Sequence, residues 1–75
     1  MESALEFERL AEAAYTAMYD APGRHAAKAN YEDAAGYFAR AIEAARAAGA
    51  DAEAGRLTER LAHVTAVYNH QFRWI

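Results

Sequence analysis

The chain has 75 residues, a formal net charge of −3 and no cysteine. That length holds one domain, and a chain so short buries only about 60% of its unfolded surface. No disulfide framework or thiolate metal site is available to it, and an acidic protein without a basic stripe is a poor nucleic-acid ligand.

The longest apolar run is far short of a membrane span. The acidic start lacks the basic opening of a signal peptide. A cytoplasmic protein, with no nucleic acid and no membrane among its partners, is expected. Charge is unevenly spread: residues 1–21 carry five acids and one base, whereas the remainder carries six acids and seven bases. Alanine fills 22 of the 75 positions. It has the best helix propensity and loses no side-chain entropy. With β-branched residues scarce, the fold class is all-α.

The first helix is predicted over 4–20. Ser3 and Glu6 stand three apart in a capping-box pattern. Phe7, Leu10, Ala11, Ala14, Met18 and Ala21 recur at helical spacing along one face. Ala21 ends it, because the residue before Pro22 avoids the α region. Residues 22–29 then read as a loop, although His25 to Ala29 could also extend the next helix backwards.

The second helix is predicted over 31–48, with Asn30 as its cap and Asp33 in its first turn. Tyr31, Ala34, Ala35, Phe38, Ile42 and Ala45 form its apolar stripe. Gly49 is expected to end it as a left-handed cap. The third helix is predicted over 52–73, starting at Asp51. Ala54, Leu57, Leu61, Val64, Tyr68, Phe72 and Ile75 step by three or four residues. Three striped helices with short connections pack as an antiparallel up-down-up bundle.

The spacing of Tyr31, Ala34, Phe38, Ala41 and Ile42 resembles the second helix of a tetratricopeptide repeat. Phe7, Leu10, Ala11 and Ala14 are similar to that repeat's first helix, and Ala54, Leu57, Thr58 and Leu61 form a looser copy. In such packing Ala11, Ala34 and Ala41 let helices close in, while Phe38 and Leu10 fill the gap. The predicted loop is longer than the repeat's tight turn, and only one and a half repeats fit. The three helices in 75 residues also look like the microtubule-interacting-and-transport domain, a lone bundle that binds short helical peptides. Either resemblance implies a tetratricopeptide-like or related architecture that binds proteins. In the tetratricopeptide case it implies a concave face carrying Leu5, Glu8, Glu12, Tyr15 and Thr16 on the first helix, with Glu59, Ala62 and His63 on the third.

Catalysis needs a nucleophile, a base and an oxyanion donor gathered in a cleft. The hydroxyls outside tyrosine are Ser3, Thr16, Thr58 and Thr65, and Ser3 is accounted for by capping. The four glycines are isolated, so no phosphate loop exists. No catalytic residue, cofactor site or metal site is expected, and the chain is read as not an enzyme. Glu59 and His63 are four apart, but His70 lies about 10 Å further along the axis by helical rise. A Glu–His pair supporting the helix explains them better than a metal.

The candidate partner-binding residues are Tyr15, Thr16, Tyr37, Ala62, His63, Val67 and Trp74. Val67 and Trp74 leave the main stripe of the third helix, and large exposed aromatics mark contact surfaces. Trp74 is either such an anchor or a plug folded over the first loop. Tyr37 flanks Ala41, Ala44 and Ala48, which form either the seat of another helix or a solvated face. The leading expectation is a small non-enzymatic interaction module that binds a partner helix or peptide. The alternatives are a homo-oligomeric structural subunit, such as a homodimer, or an accessory subunit of a larger enzyme.

Overall fold

A computed structural model of the chain describes residues 3–72. Helix α1 spans Ala4–Tyr19, α2 spans Arg24–Ala47 and α3 spans Asp51–Gln71. The order is up-down-up, and the all-α bundle is as expected. The Ser3 hydroxyl accepts from the Glu6 amide at 3.3 Å, so the expected cap forms.

The second helix begins earlier than Asn30. Gly23 is its cap residue, in an extended conformation and without a capping side chain. The connection from α1 is therefore residues 20–23, shorter than the loop predicted over 22–29. Two physical causes override the Asn30 signal. Residues 26, 27 and 29 are alanines, which favour helix, and Ala27 is buried with Met18 and Tyr68. Asn30 does different work: its Nδ2 donates to the Ala17 carbonyl at 3.2 Å, fastening α2 to the last turn of α1.

The end of α2 follows expectation. Gly49 has φ of +75°. Its amide bonds to the Arg46 carbonyl at 3.0 Å, and the Ala50 amide reaches the Ala45 carbonyl at 2.8 Å. These two bonds make a Schellman motif, which satisfies carbonyls that the helix leaves orphaned. The third helix starts with Asp51 and Glu53 in its first turn, where negative charge complements the helix dipole.

α2 is the central element and packs against both α1 and α3. Phe38, Leu57, Val64, Ala11, Ala34 and Ala41 are fully buried in one cluster. Met18, Ala27 and Tyr68 form a second, toward the other end. The alanines at 11, 34 and 41 allow the close approach that their spacing suggested. Leu10 is a correction: it is 41% exposed and fills no gap. The buried line of α1 runs through Ala4, Phe7, Ala11, Ala14 and Met18, and Leu10 lies one step beside it.

α1 and α3 run parallel, joined by arginines. Arg56 donates to both carboxylate oxygens of Glu8 at 2.9 and 2.8 Å. One turn on, Arg60 does the same to Glu12 at 2.7 and 2.9 Å. Both pairs are 48 residues apart, which fixes one register between the two helices. The Cα envelope measures 40 × 22 × 12 Å.

Candidate interaction surfaces

Three surfaces stand out once the helices are in place. The first is the α1–α3 seam. Here the Arg60 hydrogen bonds hold the Glu12 carboxyl below its ordinary pKa, against an opposing push from burial. Arg56 does the same to Glu53, and both arginines are held firmly charged by their carboxylates. The Arg60 guanidinium also lies 5.1 Å from the centre of the Tyr15 ring. The Tyr15 hydroxyl is 3.1 Å from that of Tyr19. Burial, then that hydrogen bond, raises the Tyr15 pKa. The seam's acids and bases are mutually satisfied, so it offers a partner little unmet chemistry. A pair as exposed as Arg60–Glu12 contributes about 0–1 kcal/mol.

The second surface is the aromatic end, where α1 stops, α2 starts and α3 stops. Tyr31 and Tyr68 stack at 4.2 Å, and the Tyr31 hydroxyl is 3.0 Å from that of Thr65. Tyr19 meets Phe72 edge-on at 5.3 Å and is 50% exposed. Arg24, His25 and Lys28 line a hollow of about 210 Å³ there with Tyr68 and Phe72.

The third surface lies at the opposite end. The start of α1, the end of α2 and the start of α3 leave an open socket of about 700 Å³. Ala4, Leu5, Ala44, Ala47, Ala48 and Ala50 line most of it, and Glu53 is its charged wall. Leu5 is 56% exposed. A neighbouring hollow of about 290 Å³ shares Ala44 and Ala47 and adds Phe7, Arg40 and Glu43.

The candidate residues fall on different parts of this frame. Tyr15 and Val67 are half-buried and meet at the second core cluster. Thr16, Ala62 and His63 are exposed; His63 sits close enough to Glu12 to favour its charged form. Tyr37 is half-buried against the first cluster, with the Arg40 guanidinium 5.7 Å from its ring centre. It lines a separate hollow with Glu32, Asp33 and Gly36. Trp74 lies outside the described residues.

The alanine face beside Tyr37 divides: Ala41 is buried in the core, while Ala44 and Ala48 line the socket. The socket itself was the feature sequence reasoning missed. Leu5 gave a signal, being an apolar residue off the α1 stripe, but its alanine neighbours gave none.

Among the described residues no group of three His, Asp or Glu side chains comes together as metal ligands, and no helix is long and apolar enough to cross a membrane. No family model, curated protein or solved structure matches the chain.

Proposed function

We propose that this protein is a non-enzymatic interaction module whose alanine-lined socket receives a helix or peptide segment of a protein partner. One observation carries the reading: an open apolar concavity of about 700 Å³ with Leu5 more than half exposed at its edge. Alanine walls let a partner's backbone approach closely. Covering Leu5 removes apolar surface from water at about 25 cal/mol per Å². The reading treats the architecture as tetratricopeptide-like, with α1 and α2 as the helical hairpin and α3 repeating the position of α1. The four-residue connection at 20–23 and the parallel register of α1 and α3 support that comparison.

Site-specific photo-crosslinking in cells tests the proposal. A benzophenone amino acid in place of Leu5 is expected to give one discrete protein adduct. The same probe in place of Ala66, exposed on α3, serves as the control. Equal adducts from both positions, or none from position 5, would overturn the reading.

A further inference from the structure

Arg56 stands where the seam meets the socket. Its Nε and Nη2 donate to the Glu53 carboxylate at 3.1 and 2.8 Å, within α3. Its Nη1 and Nη2 donate to the Glu8 carboxylate at 2.9 and 2.8 Å, across to α1. One planar guanidinium thus holds two carboxylates at once, which its rigid fork of donors permits and a lysine ammonium would not reproduce. Glu53 is a wall of the socket. Glu8 lies one turn along α1 from Leu5, the exposed residue at the socket's edge.

The three sides of the bundle are built differently. Buried alanines at 11, 34 and 41 bring α1 and α2 together. α3 is tied to α2 by the short turn at 48–50 and by packing along its length. The backbones of α1 and α3 scarcely approach one another, and long charged side chains span that side. It is also the side across which the socket opens. The α1 rim is Ser3, Ala4 and Leu5, and the α3 rim is Ala50 and Glu53. Arg56 bridges the helices just behind these rims, and the Arg60–Glu12 bridge sits one turn deeper.

We infer that Arg56 is a positioning residue for the socket: by tying α1 to the first turns of α3 it sets how far apart the two rims stand, and so how well the mouth fits a partner segment. The inference rests on the socket reading above and adds the residue that governs its width. With the arginine side chain 49% exposed, the clamp is soft. It favours closed over open rims by a few-fold and not by orders of magnitude. Salt therefore weakens it, and apparent partner affinity follows the fraction of molecules whose rims are closed.

Pulsed dipolar spectroscopy between two spin labels reads the rim separation. The chain has no cysteine, so cysteines replacing Arg9 and Ala52, both exposed, carry the only labels. Wild type is expected to show a narrow distance at low salt that lengthens and broadens in about 1 M salt, where the Debye length is about 3 Å. Arg56→Met and Glu8→Met should each give the longer, broader distribution already at low salt, with a weaker response to salt. Glu8→Met cuts only the link between helices and leaves the Arg56–Glu53 pair within α3 intact. The position-5 adduct should fall by a similar few-fold factor in both variants. Should Arg56→Met lose its helical circular dichroism, Glu8→Met decides alone.

Equal distances in wild type and both variants would overturn the inference. A widening in Arg56→Met that Glu8→Met lacks would do so too, because Arg56 would then act within α3 only. Widened rims with an undiminished adduct would also overturn it, since width would not govern the partner. Absence of the adduct from wild type removes the socket reading itself. A wild-type adduct with distances that neither variant moves removes the clamp alone.

Discussion

Glycine to alanine substitution should have opposite signs at different positions of this chain. Gly49 adopts φ of +75°, and a Cβ there would meet nothing within 4 Å. The effect of Gly49→Ala is thus purely one of backbone. An L-residue in the left-handed region costs about 1–2 kcal/mol, and the reduced freedom of the unfolded chain is partly offsetting, so a net loss of about 1 kcal/mol is expected. Gly36 and Gly55 sit inside α2 and α3, exposed, and a Cβ at either also meets nothing within 4 Å. Alanine there should stabilise by about 0.5–1 kcal/mol each. Urea denaturation of the three single variants at one temperature and pH is the assay, with slopes compared to confirm a common unfolded state. A Gly49→Ala variant at least as stable as wild type would refute the Schellman geometry at the end of α2. A destabilised Gly55→Ala would refute the open space assigned beside α3.

Phe38→Ala empties the centre of the larger cluster and should cost about 3–5 kcal/mol, against the about 4–11 kcal/mol available to a chain this size; a loss below about 1 kcal/mol in chemical denaturation would place Phe38 elsewhere. Asn30→Ala should cost about 0.5–1.5 kcal/mol through its lost bond to Ala17, with amide exchange quickening at Asp20, Ala21 and Gly23; faster exchange at Glu32 and Asp33 instead would restore Asn30 as a cap. Glu12 has a folded pKa below its ordinary 4.5, so its contribution is present above that pH and is lost as pH falls through the lower folded value. Glu12→Gln should therefore reduce the loss of stability on acidification below about pH 4.5, by under about 1 kcal/mol for a pair this exposed; an unaltered pH profile would show that the Arg60 bridge is energetically silent.

Local signals in this sequence were read correctly where local physics decides. The Ser3 cap, the turn at Pro22 and the left-handed Gly49 each depend on a few adjacent residues. The stripe through Phe38, Ile42 and Ala45 follows from helical periodicity. Asn30 misled because its best partner is 13 residues away, a contact that exists only once the helices pack. Leu10 misled because a stripe read at intervals of three or four is wider than the line that α1 actually buries. The socket was illegible for a related reason: three helix ends build it, mostly from alanine. Alanine is equally at home buried, as at Ala41, or exposed, as at Ala47, so its identity does not reveal its surroundings.

The central position of α2 has a kinetic meaning. Each of its two packing partners is its neighbour in sequence, joined by residues 20–23 or 48–50. The core can therefore assemble as two overlapping hairpins, each closing a short loop. Topologies rich in such local contacts fold in microseconds to milliseconds. The bridges from Arg56 to Glu8 and from Arg60 to Glu12 span 48 residues, and they close far larger loops than either hairpin connection does. Forming after both hairpins, they would act on how fast the native state opens and leave the rate at which it is reached nearly unchanged.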